Sequence, residues 1–444
     1  MALKEFELKW IEPPTLKFAK GKKSKFPLEG LKNHGPFDLE SRPFKKLKVF
    51  IVSPNFAKKY LDKFLQIAEK LADEMLKIKL EVVDILCLEK FQYRNVANYL
   101  NEVDKKLENI NKDELNVVLQ ILGARSTKRE DNPYFELRKR MLGREGIAVQ
   151  SITVSNLSGK RLKAKIGNVL LGMYAKSGGK PWQLAEPVSS LYEKTIYLGY
   201  DISLIEGARR VGTTIVYDNK GQLIYSTPID IPVVGEIIKS SHIKSYIRHA
   251  LIDITKNGNE IDTVVVHRDG EIHNEEIIGI NSAVKEFNNK TKTIIISIPK
   301  TGVPPLFIQF EDNKYGLADN GYYFFTGYKN KQPTFFLQTY GFEPLKFLSQ
   351  EEYKKHSMET RVVNMLQYRV AKLSNNLLQE MKEDISSLYH DIARQIFFLS
   401  RLNWGSGFGK ARTPVTIHYA HKASKLLTSG INPRNIRWDK LWMI

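Results

Sequence analysis

The chain has 444 residues, 42% of them hydrophobic, with 68 Lys and Arg against 49 Asp and Glu and a formal net charge of +19. That length supports two ordinary cores, and the basic excess favours a polyanionic partner, most simply nucleic acid, although a basic housekeeping protein carries a similar excess. A single cysteine, Cys87, excludes an internal disulfide framework and a cysteine-based zinc site, and no apolar run approaches the roughly 18 residues of a membrane span, so the expectation is a cytoplasmic protein with no membrane contact of its own.

Residues 1–45 hold Pro13-Pro14, the basic run Lys20-Gly-Lys-Lys-Ser-Lys25 and Gly35-Pro36 without sustained periodicity, which predicts an extended basic arm. From Leu47 the pattern alternates. Strands are predicted at 47–52, 80–86, 115–122 and 148–154, and helices at 57–76, 96–107, 133–142 and 163–174. Such alternation marks a parallel sheet with helices on its faces. Cys87 follows the second strand and reads as a buried structural thiol.

The rhythm breaks around Lys176-Ser-Gly-Gly-Lys-Pro-Trp182, which places a domain boundary near residue 190. Strands are then predicted at 196–202, 211–217 and 223–226, the last two joined by the turn signal Asp218-Asn-Lys-Gly221. A long amphipathic helix over 236–255 leads to a strand that ends at Asp269. This β-β-β-α-β order is the RNase H topology, in which the first and fourth strands lie parallel and adjacent. Further on come a helix at 274–287, a strand at 293–298, aromatic-rich strands at 306–310, 322–326 and 334–338, and helices to the C-terminus. The glycine cluster Gly405-Ser-Gly-Phe-Gly409 follows no strand and reads as a turn rather than a dinucleotide loop.

Asp201 and Asp269 both end predicted strands, and two carboxylates fixed at adjacent strand ends can bridge divalent ions, Mg²⁺ or Mn²⁺. Taken singly, each is also an ordinary strand-end or turn aspartate. Glu236 is equally a helix N-terminal acid, and His421 an ordinary helix-face histidine.

What distinguishes them is their order. Gly199-Tyr-Asp201 followed by Val265-Val-His-Arg-Asp-Gly270 resembles the PIWI domain of Argonaute proteins, with Gly235-Glu236 where that family places its glutamate finger. The family's fourth position falls in Pro414-Val-Thr-Ile-His418-Tyr-Ala-His421, at His421. The resemblance implies a catalytic set of Asp201, Glu236, Asp269 and His421, with Asp201, Asp269 and His421 as metal ligands.

The first domain carries a matching signal. Tyr134, Arg138, Gln150 and Lys176 resemble the set with which Argonaute MID domains hold the 5′-phosphate of a guide strand, and Tyr134 and Arg138 share one helix face. Many prokaryotic members add a side chain one turn before the Lys and the C-terminal carboxylate to bind a metal there; this chain has Gly172 at that position and Ile444 at its end. The carboxylate of Ile444 or the pair Arg138 and Lys176 would then serve.

The resemblance covers nearly the whole chain and implies a short, prokaryotic or archaeal form without the N and PAZ domains. It divides the chain into an arm (1–45), a Rossmann-like parallel-sheet MID domain (46–190) and an RNase H-like PIWI domain (191–444). The function implied is guide-directed binding of complementary nucleic acid in defence against foreign DNA or RNA. Two outcomes stay open: a metal-dependent cut of the target, or a silent guided sensor that activates a separate effector protein.

Overall fold

The segments from Lys46 to Lys176 build a four-stranded, all-parallel sheet. Its elements are β1 (Lys46–Pro54), α1 (Leu61–Leu76), β2 (Lys79–Leu88), α2 (Val96–Glu108), β3 (Val117–Leu122), α3 (Pro133–Arg140), β4 (Ala148–Thr153) and α4 (Leu162–Lys176). The strand order is β2-β1-β3-β4. The computed structural model describes residues 6–89, 95–111, 114–123, 132–142, 146–159, 161–204, 209–232, 238–299, 306–309, 315–317, 320–340, 364–431 and 440–444. The chain divides into two compact units, one of Thr15–Ala185, Trp404–Gly409 and Lys425–Ile444, the other of Met1–Pro14, Glu186–Asn403 and Lys410–Ser424.

In the first unit, β1 and β3 are near-continuous apolar runs because both faces of the sheet are covered. Phe50, Val52, Val118 and Val149 pack with Tyr99, Val103 and Leu107 of α2 and Leu137 of α3. Helices α1 and α4 pack against each other, α1 also touching β2 and α4 touching β4. The expected extended arm is instead folded. Leu16–Lys17 pairs with Lys23–Ser24 and Gln183–Leu184, and a helix over Pro27–His34 starts with proline in its first turn. Phe18 and Leu31 are fully buried, and Gly30 meets the Phe18 ring so closely that a Cβ would lie 2.2 Å from it. These elements are too short to leave a period in the sequence. Cys87, expected buried, is half-buried on β2.

The second unit contains β5 (Thr195–Leu204), β6 (Arg209–Asp218), β7 (Leu223–Pro232), α5 (Ser240–Lys256), β8 (Thr263–Asp269), α6 (Asn274–Phe287), β9 (Lys292–Ile298), β10 (Tyr322–Lys329), β11 (Gln332–Leu337), β12 (Leu366–Leu373), α7 (Ile385–Leu399) and α8 (Val415–Leu427). Its sheet runs β10-β11-β12-β9-β8-β5-β6-β7, with a two-residue strand, Lys9–Trp10, beyond β10. Strand β8 pairs in parallel with both β5 and β9; the other pairings are antiparallel. The turn between β6 and β7 has Gly221 at φ 73°, and the Asp218 carboxylate accepts the amides of Lys220 and Gln222. Strand β12 falls where the sequence predicts helix. Arg369, only 2% exposed and paired with Glu271, sits among its buried apolar residues and hides the strand's alternation.

Alternation along β5 assigns its two faces. Ile196, Leu198 and Tyr200 join Ile243, Ile247 and Leu251 of α5 and Ile280 and Val284 of α6 in one core. Gly199 and Asp201 face the opposite side, toward α8. The aromatic strands mostly serve packing, with Phe335 stacked on Tyr368 at 5.1 Å, while Phe325 and Tyr328 are exposed. Buried Asp391 of α7 accepts hydrogen bonds from Ser189 Oγ, Ser190 N and Oγ, and Gln395 Nε2, which ties the start of this unit to its helical layer.

Candidate functional site

The register of β5 against β8 pairs Tyr200 with Arg268, so the next residues, Asp201 and Asp269, come side by side. Helix α8 then brings the third group. It lies directly on β5 at Gly199, where a Cβ would sit 2.6 Å from the Thr416 backbone. Thr416 Oγ1 meets His267 Nδ1 at 2.9 Å, and Ser424 Oγ donates to the Asp201 carbonyl at 3.1 Å. Burial holds the His267 pKa down to about 3, so this ring is a neutral hydrogen-bonding post for the helix. Between these two anchors, His421 Nδ1 lies 2.9 Å from Asp201 Oδ2 and 3.6 Å from Asp269 Oδ2.

One ligand atom from each of Asp201, Asp269 and His421 falls within 4.8 Å of the others. Neighbouring ligands on an octahedral ion with bonds of about 2.1 Å stand about 3 Å apart, so the spacing fits a divalent cation. Two hard carboxylates with one imidazole suit Mg²⁺ or, better, Mn²⁺. The group opens onto a cavity of about 450 Å³ that Arg268 and Glu271 also line. Glu236, the fourth residue of the expected set, lies outside the described residues.

The sequence reading missed the supports of this site. Arg268 Nε pairs with Glu276 at 2.9 Å, its Nη1 donates to the Asp269 carbonyl, and its guanidinium lies 5.2 Å from the Tyr200 ring centre. Fully buried Glu276 also accepts from the Tyr200 hydroxyl and the His273 amide, so every contact around it is satisfied. Burial disfavours the Arg268 charge, yet Tyr200, Glu276 and Asp201 outweigh it and raise the pKa. Arg268 was visible beside Asp269, and Glu276 follows it by eight residues, but no periodicity links them.

Of the residues expected to hold a guide phosphate, Arg138, Gln150 and Lys176 meet along β4, the edge strand of the first unit's sheet. Asn132 caps α3 by accepting the Tyr134 amide, and the Arg138 guanidinium stands 4.5 Å from the Tyr134 ring centre. Arg138 Nη2 donates to Ser151 Oγ at 3.3 Å; Ser151 donates to Gln120 Oε1, and Gln120 Nε2 to Tyr99 Oη and the Pro133 carbonyl. From α4, Lys176 Nζ donates to the Val149 carbonyl at 2.8 Å and to Gln150 Oε1 at 2.7 Å. Arg138 and Lys176 are both buried, at 4% and 1% exposure, and burial pushes the Arg138 pKa down. Ile444 closes a tail whose Leu441, Trp442 and Met443 are buried in the same unit. Gln120 and Ser151 went unnoticed in the sequence because neither lies on a motif.

The model of the Piwi domain family matches residues 118–432. A protein argonaute of Aquifex aeolicus (strain VF5) is 25% identical over 316 residues, which is 70% of this chain and 38% of that protein. A Piwi protein of Archaeoglobus fulgidus is 21% identical over 410 residues, 88% of this chain and 85% of the relative. Among solved structures, Clostridium butyricum Argonaute bound to a guide DNA and a 19-mer target DNA superposes with a TM-score of 0.71 at 18% identity, over 99% of this chain and 55% of that one. Drosophila Piwi does so with a TM-score of 0.72 at 14% identity, over 98% and 56%. The chain thus spans 38% of the Aquifex protein and little more than half of the solved chains. At these identities the likeness establishes the fold, a parallel-sheet α/β unit followed by an RNase H-like one.

Proposed function

This chain belongs to the Piwi domain family, and from that premise we propose that it binds a short guide strand, RNA or DNA, by its 5′-phosphate and uses it to capture complementary nucleic acid, with metal-dependent cleavage of the captured strand. The observation that carries this reading is that one chain holds two buried cations, Arg138 and Lys176, bonded to neighbouring residues of β4, and a separate Asp201, Asp269 and His421 cluster. In this assignment residues 46–190 act as the guide-end domain and 191–444 as the nuclease-like domain, with the segments Trp404–Gly409 and Lys425–Ile444 folding with the first unit.

Arg138 and Lys176 meet the terminal phosphate, Gln150 stays oriented by Lys176, and the Tyr134 ring offers its face to the first base. Sequence would be read by base pairing while the protein contacts backbone, and the net charge of +19 favours that polyanion. At the second centre, Asp201, Asp269 and His421 would hold Mg²⁺ or Mn²⁺, which supplies Lewis acidity for phosphodiester hydrolysis. Glu276 and Tyr200 hold Arg268 in the pocket wall, and Thr416, Ser424 and Gly199 fix α8 so that His421 stays beside the carboxylates.

The test is a cleavage assay with 5′-phosphorylated RNA or DNA guides and labelled complementary targets in Mg²⁺ and Mn²⁺, comparing the wild type with Asp201→Ala plus Asp269→Ala. A guide-dependent cut that the double variant loses supports the reading. Tight guide and target binding without a cut would remove the nuclease step, and failure to bind guides would remove the whole.

A further inference from the structure

We infer that this pocket holds the guide's 5′-phosphate with protein cations alone and has no place for a divalent ion beside it; the inference rests on the guide-pocket reading above. Gly172 stands one turn before Lys176 on α4 and faces Gln150. A Cβ at Gly172 would lie 2.8 Å from Gln150 Oε1 and 3.3 Å from its Cδ, so the Gln150 amide fills the space a ligand side chain would need. The two oxygens on this side, Gln150 Oε1 and the Val149 carbonyl, both already accept from Lys176 Nζ. An ammonium therefore already draws on both of these oxygens, and a second cation placed beside them meets like charge at short range in a buried setting.

Arg138 completes the charge balance. Its guanidinium donates to a neutral hydroxyl, Ser151 Oγ; among the described residues it has no carboxylate partner, and its buried Nε has no acceptor. A buried guanidinium in that state calls for an anion. A terminal phosphate carries a charge of about −1.5 to −2, which two fixed unit cations match without help. The planar Arg138 fork also suits two phosphate oxygens at once, while Lys176 acts as a point charge.

The experiment measures binding of matched 5′-phosphate and 5′-hydroxyl guides to the full chain by fluorescence polarisation, in EDTA and in Mg²⁺ or Mn²⁺. The ratio of the two affinities cancels any contribution of the Asp201, Asp269 and His421 centre. The expected result is a 5′-phosphate preference that changes less than about threefold on chelation and falls at least about tenfold in Arg138→Met, with Arg138→Lys retaining part of it. A preference that collapses in EDTA and returns with Mg²⁺ or Mn²⁺ overturns the metal-free pocket while leaving the guide-end reading intact. No preference in either buffer overturns that reading and the inference with it. The wild-type comparison needs no variant to fold.

Discussion

Gly199→Ala tests whether the proposed metal site depends on how closely α8 lies on β5. The new Cβ would sit 2.6 Å from Thr416 C and Cβ and 2.7 Å from its carbonyl oxygen, against ordinary contacts that begin at 3.4 Å, so the helix must retreat by about 0.8 Å (3.4 less 2.6). Two of the opposing atoms are helix backbone, so no rotamer change relieves the clash. Overpacking of this kind costs about 1–3 kcal/mol. The same retreat stretches the 2.9 Å contact between His421 and Asp201 and the Thr416 bond to His267. A misplacement of about 1 Å at a catalytic centre costs on the order of a hundredfold in rate. We expect a lower unfolding midpoint and at least tenfold weaker Mn²⁺ binding by electron paramagnetic resonance titration, with the 5′-phosphate preference for guides unchanged. If Gly199→Ala binds Mn²⁺ as the wild type does, α8 is not positioned through this contact and the account of the site is wrong.

His421→Ala and Asp269→Ala each remove one of three clustered ligands and should weaken Mn²⁺ binding roughly tenfold or more while sparing guide affinity, which calorimetry and polarisation measure separately. A large loss of guide affinity in Asp269→Ala would contradict the assignment of two separate sites. Lys176→Ala deletes a buried cation and should weaken 5′-phosphorylated guides by about 10- to 150-fold, the equivalent of one charge-assisted hydrogen bond, with little effect on 5′-hydroxyl guides. Equal weakening of both would remove the phosphate pocket. Asp391→Ala strands the neutral donors of Ser189, Ser190 and Gln395 around a buried position and should lower stability by about 1–3 kcal/mol in urea titration, with Asp391→Asn milder. A loss below about 1 kcal/mol would mean those donors find other partners.

The parallel sheet of the first unit and the β-β-β-α-β order of the second are legible because their apolar runs and helical stripes are long, so burial imposes a period on the sequence. Asp201, Asp269 and His421 are legible for a different reason: they stand in the order of a recognisable motif, and strand register converts the distant relation of the two aspartates into adjacency. Where elements shrink to two residues, as at Leu16–Lys17, or a buried charged residue breaks the alternation, as at Arg369 in β12, the period vanishes and the element goes unread.

What makes either site work is still less legible, because it consists of contacts between residues with no common period. Gly199 looks like any strand glycine until Thr416 is found against it, and Glu276 looks like a helix-start acid until Arg268, Tyr200 and His273 are found to converge on it. Gly172 is the sharper case. In the sequence it is a missing ligand, a position that offers nothing to a metal. In the fold its lack of a side chain admits the Gln150 amide, which in turn orients Lys176. A glycine that subtracts a ligand for one cation thereby secures another, and on the proposed reading the unmet demand of buried Arg138 is answered by the guide phosphate.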